Sequence, residues 1–141
     1  MTQHKVLTIR IVTPEKAVFT HQASMVVMPG AEGEFGILPL HIPLITMLKE
    51  GILKLYQQST ITSEIMVSQG YGQVFNDEVL ILTDFAIDLA ELTIEQVGSN
   101  IESLQEKLDK STSAENKSSI LKDLSRNKMI LAYKENKKRS R

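Results

Sequence analysis

Residues 79–108 read VLILTDFAIDLAELTIEQVGSNIESLQEKL, and the spacing of their apolar side chains changes within this stretch. Residues 79–82 form a continuous apolar run ending at Thr83-Asp84, a pattern expected of a strand with both faces covered. From Thr93 onward the spacing is three and four: Ile94, Val97, Ile101, Leu104 and Leu108 make one narrow stripe, with Glu95, Glu102, Glu106 and Lys107 on the other faces. Thr93 followed three positions later by Gln96 is a capping-box pattern, which predicts a helix start there. Gly98 interrupts the stripe, and a glycine inside a helix costs about 1 kcal/mol relative to alanine.

Before this junction the period is two. Leu7, Ile9 and Ile11 alternate with Thr8 and Arg10; Ala23, Met25 and Val27 follow, and Ile65 and Val67 continue the pattern. Turn residues fall at short intervals, at Thr13-Pro14, Pro29-Gly30, Gly33, Gly36, Gly51, Gly70, Gly72 and Asn76-Asp77. Repeated hairpins closed into two packed sheets satisfy both signals. After the junction, the polar residues 111–116 break the helical stripe, which resumes with Leu121, Leu124 and Leu131, flanked by Ile120 and Ile130. The short break implies an antiparallel helix pair. The fold class is therefore α+β: an antiparallel β-sandwich over residues 1–86, then a two-helix hairpin over residues 87–141. The hairpin interface is small, worth only a few kcal/mol, the range in which a partner's differential affinity redistributes conformations.

Composition narrows the function. The 141 residues carry a net charge of −1 and no cysteine, which excludes disulfides, thiolate metal sites and thiol nucleophiles. The apolar run at 37–48 is interrupted by Pro39, His41 and Pro43, too short and too polar to cross a bilayer. Met-Thr-Gln-His-Lys at the start enters directly into the alternating segment, and without a signal-peptide pattern the chain is expected to stay where it is made. Charge is unevenly distributed: residues 1–88 sum to −4 and residues 89–141 to +3, with nine basic and two acidic groups in residues 117–141. The basic tail, Lys134, Lys137, Lys138, Arg139 and Arg141, reads either as a solvated face or as a surface for an acidic protein partner. Tyr133 alone supplies no base-stacking platform for nucleic acid.

Catalytic patterns are missing. His4, His21 and His41 lack metal-ligand spacing, and no Gly-x-Ser-x-Gly elbow occurs, so no metal site and no catalytic residue are predicted. Glu32 and Glu34 in a glycine-rich loop read as a solvated turn rather than a paired acid and base. Gly30, Gly33 and Gly36 are followed by Ile37-Leu38-Pro39 rather than by a helix with Lys and Ser or Thr, so they read as turn glycines rather than a phosphate cradle.

Thr13-Pro14-Glu15, Val18-Phe19, the stretch Pro29-Gly30-Ala31-Glu32-Gly33-Glu34-Phe35-Gly36-Ile37-Leu38-Pro39 and His41-x-Pro43-Leu44 resemble the epsilon subunit family of bacterial F-type ATP synthase. Leu48-x-x-Gly51, Ser68-x-Gly70, residues 79–86 and the helical hairpin extend the resemblance over nearly the whole chain. It implies a non-catalytic rotor subunit of the central stalk. Its sandwich would sit beside the gamma subunit and on the c-subunit ring, at the cytoplasmic face of the bacterial inner membrane, reaching the membrane only through the complex. The complex would make ATP from a proton or sodium gradient. The resemblance places c-ring contact at Glu32, Glu34, Phe35 and His41. It implies a regulatory hairpin that restrains hydrolysis by reaching the alpha and beta subunits, with Arg126, Lys128, Lys134, Lys137 and Lys138 as the contacting cations.

Some family members bind ATP through Ile/Leu-Asp-x-x-Arg-Ala. Here Ile87-Asp88-Leu89-Ala90 is followed by Glu91-Leu92, a carboxylate where a cation is expected. Arg126 is the remaining candidate cation, and the departure predicts weak or absent ATP binding, with no cofactor. A second reading is a free-standing β-sandwich adaptor whose basic helical tail binds an acidic protein. A third, a small hydrolase, lacks a constellation that would form a site.

Overall fold

Leu7, Ile9 and Ile11 are fully buried, and the strand they define, β1 (Leu7–Val12), lies within a ten-stranded sheet in the computed structural model, which describes residues 5–15 and 19–140. His4, Val18 and Arg141, each used in the sequence reading, lie outside the described residues. The other strands are β2 (Phe19–Ala23), β3 (Met25–Gly30), β4 (Gly33–Ile37), β5 (Leu44–Leu48), β6 (Gly51–Gln57), β7 (Thr60–Val67), β8 (Gly70–Phe75), β9 (Glu78–Thr83) and β10 (Ala86–Asp88). Their order across the sheet is β10-β7-β6-β3-β5-β8-β9-β1-β2, with β4 off this path and paired with β3. All the paired neighbours are antiparallel except β1 and β9, which run parallel and bring the start of the strand region against its end.

The sheet curls into a sandwich at two corners. At the first, Ser24 separates β2, bonded to β1, from β3, bonded to β6. Its N–H donates to the Tyr56 carbonyl at 2.8 Å, and its Oγ accepts from the Gln58 amide at 2.7 Å. This corner shifts the phase of the pattern. Ala23 is buried, but the buried residues that follow are Val26 and Met28, not the expected Met25 and Val27. At the second corner the chain passes from β9 to β10, which pairs with β7. The buried hydroxyls of Ser68 and Thr83 lie 2.7 Å apart there, and the Phe85 amide donates to Ser68 Oγ at 3.1 Å. Polar groups removed from water are tolerated in this position because each has a partner.

The apolar run at 79–82 departs from expectation. Val79 and Ile81 are fully buried, but Leu82 is 46% exposed: the chain covers one face of this strand and leaves the other open. Residues 86–88 form a strand of the sandwich, so the first compact unit runs to Ala90, four residues beyond the boundary read from the change of period.

The second unit begins at Glu91. Helix α1 (Ile94–Lys110) starts at the Thr93 capping box: the Gln96 amide donates to Thr93 Oγ1 at 3.1 Å, and the Thr93 amide to Gln96 Oε1 at 2.9 Å. Ser113 caps α2 (Ala114–Arg139) after a connection of three residues, and the two helices pack on each other. The stripe on α1 is as spaced in the sequence, with Val97 fully buried. On α2 the buried residues are Leu124 and Ile130; Leu121 is 52% exposed, because it falls about 100° away from Ile120 and outside the arc that Ile120, Leu124 and Leu131 share.

Candidate functional site: one end and one outer face of the sandwich

Strands β3 and β4 form a hairpin whose turn, at Ala31 and Glu32, is tied to β5: the Ala31 amide donates to the Met47 carbonyl at 3.1 Å and the Lys49 amide to the Pro29 carbonyl at 2.9 Å. The three glycines here have different tasks. Gly33 has φ +136°, a backbone conformation open to glycine and costly to other residues. Gly30 lies under the Phe35 ring, where an added Cβ would stand 2.6 Å from Phe35 Cε1. Gly36 needs neither a positive φ nor so close an approach, so the expectation that all three serve turn angles holds only for Gly33.

The four residues assigned to c-ring contact are thus not equivalent. Glu32 is exposed at the turn. Glu34 lies within β4, its side chain 3.7 Å from Lys54 Nζ across β3, an exposed pair worth about 0–1 kcal/mol. Phe35 is half-buried and packs on the core. His41 is half-buried, with Nδ1 2.7 Å from the Ile42 carbonyl and its amide donating to the Leu38 carbonyl.

Side chains that the sequence reading passed over dominate this loop. Leu38, Leu40 and Ile42 are 57%, 69% and 75% exposed, alternating with Pro39 and His41 through residues 38–43. Leu40 has φ +70°, a left-handed conformation that costs a leucine about 1–2 kcal/mol. Its amide donates to Asp77 Oδ1 at 2.6 Å, a contact spanning 37 residues of sequence.

The loop leads into β5, and the outer face beyond it is apolar as well. Ile45, Met47, Tyr71, Phe75 and Leu82 are all about half or more exposed. The register sets Met47, Tyr71, Leu82 and Val12 in one row across β5, β8, β9 and β1, with Ile45, Gln73, Leu80 and Arg10 in the next. Val12 and Leu82, with Pro14 and Tyr71, also line a shallow groove at the edge of this face. So many exposed large apolar groups on one face, with Gln73 and Arg10 among them, make it a candidate contact surface. The uninterrupted run at 79–82 was its sequence signal: the doubly covered strand that it implied is covered on one side by this chain and open on the other.

The model for the ATP synthase delta/epsilon chain β-sandwich domain matches residues 6–89. The chain belongs to the ATP synthase epsilon-chain family. It is 34% identical over 103 residues to the ATP synthase epsilon chain of Rhodospirillum rubrum, covering 73% of this chain and 77% of that one. It is 39% identical over 99 residues to the epsilon chain of Desulforamulus reducens, covering 70% and 74%. Among solved structures, a chain of the Euglena gracilis mitochondrial ATP synthase OSCP/F1/c-ring assembly superposes with a TM-score of 0.67 at 20% identity, covering 91% of this chain and 81% of that one. A chain of the Tetrahymena thermophila mitochondrial ATP synthase central stalk and c ring gives 0.56 at 14% identity, covering 94% and 98%. Both likenesses extend the family's fold beyond the matched sandwich.

The residues that the family resemblance picked out in the second half fall into separate places. Ile87 and Asp88 lie in β10, paired with Met66 and Ile65, and the Asp88 carboxylate accepts from the Ala90 amide at 2.9 Å, capping a 3-10 turn at Leu89–Glu91. Arg126 is in α2, half-buried, with Nη1 3.4 Å from Asp123 Oδ1 one turn earlier. Lys128 and Lys138 are exposed, and Lys134 and Lys137 are partly covered. At about 100° per residue these five cations spread over some 200° of α2, with Lys128 on the side away from Arg126. They do not make one face. Lys117, Lys128 and Arg139 do: they recur every eleven residues, close to three turns, and all three are exposed.

Proposed function

We propose that this chain is a rotor subunit of the ATP synthase central stalk, docking through its sandwich on the gamma subunit and the c ring and restraining ATP hydrolysis through its helical hairpin. The observation that carries this reading is the open apolar surface of Ile45, Met47, Tyr71, Phe75 and Leu82, next along the chain to the exposed loop of Leu38, Leu40 and Ile42. A monomer gains nothing from leaving so many large aliphatic and aromatic groups in water, and a permanent neighbour removes that cost. The sheet face suits the broad side of gamma. The loop, with Glu32, Glu34 and His41 around its aliphatic groups, suits the exposed ends of the c subunits.

In this reading the chain itself is non-catalytic, and it works at the cytoplasmic face of the membrane, held there by the complex. Among the described residues no helix is long and apolar enough to cross a membrane, in keeping with attachment through partners. Regulatory ATP binding is weak or absent, since Glu91 stands where the family's ATP motif has a cation and Asp88 already caps a turn. Calorimetry of the isolated subunit with ATP tests that point. The docking assignment is tested by cysteines at Glu34, His41 and Tyr71, cross-linked in membranes. Residues 34 and 41 should link to the c ring and residue 71 to gamma; intact assembly with no link at any of the three positions would remove the assignment.

A further inference from the structure

Asp77 lies far from the loop of residues 38–43 in sequence. Its own backbone is held from two sides. Asn76 and Asp77 have φ +49° and +61°, the two left-handed residues of the tight turn joining β8 to β9, and the Asp77 carbonyl accepts from the Thr8 amide at 2.9 Å, fixing the turn to the start of β1. From that fixed base the carboxylate reaches the Leu40 amide at 2.6 Å, a short charge-assisted bond. Leu40 is the residue of the loop that adopts a left-handed conformation, and it stands between Leu38 and Ile42, the other two exposed aliphatic groups. The other contacts of the loop backbone are local: the His41 amide donates to the Leu38 carbonyl at 3.2 Å, and His41 Nδ1 lies 2.7 Å from the Ile42 carbonyl. The Leu40 side chain, 69% exposed, anchors the residue little.

We propose that Asp77 is a positioning residue for docking: its carboxylate latches the Leu40 amide and so presents Leu38, Leu40 and Ile42 as one preformed apolar ridge to the exposed ends of the c subunits. The inference rests on the docking role of this loop proposed above. An exposed leucine with an unfavourable φ relaxes to an extended conformation unless an external contact opposes it, and relaxation turns the chain at the centre of the ridge. A ridge formed in advance binds without the cost of ordering it, so losing the latch weakens docking without removing any contacting group.

Two substitutions separate the latch from the turn. Glycine and asparagine both accept the left-handed angles at position 77, but only asparagine keeps a side-chain oxygen for Leu40. In the full-length subunit, Asp77→Gly should speed hydrogen exchange at the Leu40 amide by about tenfold, the worth of one hydrogen bond to a charged group, with the melting temperature little changed. Rebinding to membranes that carry the gamma and c-ring assembly, stripped of this subunit, should weaken by a similar factor, and Asp77→Asn should restore most of it. Unchanged exchange at Leu40 in Asp77→Gly, or faster exchange with undiminished rebinding, would overturn the latch. Ile42→Asp serves as the control for the loop itself. If Ile42→Asp rebinds like the unmodified subunit, the docking role of the loop is wrong; if it fails to rebind while Asp77→Gly binds normally, the loop docks and only the latch is wrong.

Discussion

The strand unit and the helix pair bury their apolar groups to very different extents. In the sandwich, Leu7, Ile9, Ile11, Val26, Met28 and many others have no exposed surface and form one continuous cluster. Among the described residues of the helical unit only Val97, Leu124 and Ile130 fall below a tenth exposed, and the rest of both stripes is partly solvated. The sandwich therefore behaves as a platform whose shape is fixed by packing, while the hairpin depends on caps and a thin seam. The proposed role as a rotor subunit calls for both properties: a part that transmits torque without deforming, and a part that can change position for a few kcal/mol.

The comparison is broken most directly by cutting into each core. Ile9→Ala removes a fully buried side chain between β2 and β9, and should destabilise the sandwich by about 2–5 kcal/mol in chemical denaturation. Ile101→Ala, on the stripe of α1 but partly solvated, should cost less than about 2 kcal/mol and leave the strand amides protected from hydrogen exchange. Equal losses at the two positions would mean that the helices are as firmly built as the sheet.

Much of this difference is visible in the sequence, and its exceptions have physical causes. The Thr93 capping box and the α1 stripe are local patterns, and both are where the spacing puts them. Errors occur where the outcome depends on contacts between distant segments. The phase slip after Ala23 comes from Ser24 turning the chain between layers against Tyr56, which no residue spacing reports. The parallel pairing of β1 with β9 joins residues about seventy positions apart. Of the proposed docking site, the glycine-rich turn and His41 come from the family resemblance. The exposure of Leu38, Leu40 and Ile42 is not legible in the spacing, and the bond from the Leu40 amide to Asp77 joins residues 37 positions apart.

The hairpin can also be adjusted in both directions with one-residue changes. Thr93→Ala removes the side-chain half of the capping box, the Oγ1 that accepts from the Gln96 amide, and should destabilise α1 by about 1 kcal/mol, seen as faster exchange of the first-turn amides. Gly98→Ala should do the reverse. A Cβ built there meets nothing within 4 Å, so the helix gains about 1 kcal/mol of propensity with no clash. If the hairpin acts as a switch, the two variants should shift the hydrolysis rate of the assembled enzyme in opposite directions, whereas a passive appendage would show the stability changes alone.

The smallest expected effects, and the most informative about direction, lie in the charges of α2. Each exposed cation is worth about 0–1 kcal/mol to an acidic partner, so only a set acting together is measurable. The two candidate sets differ in geometry. Arg126, Lys134 and Lys137 share the covered side of α2. Lys117, Lys128 and Arg139 form a straight exposed line some 33 Å long at about 1.5 Å rise per residue. Of these two sets only the second is fully exposed on the helix as it stands, so if the hairpin restrains hydrolysis, replacing those three with glutamine should relieve it, and raising salt should abolish the difference from the unmodified enzyme. If instead the covered set carries the effect, the helix must turn its inner side outward when it reaches the head, and the thin seam between α1 and α2 is what allows that rotation.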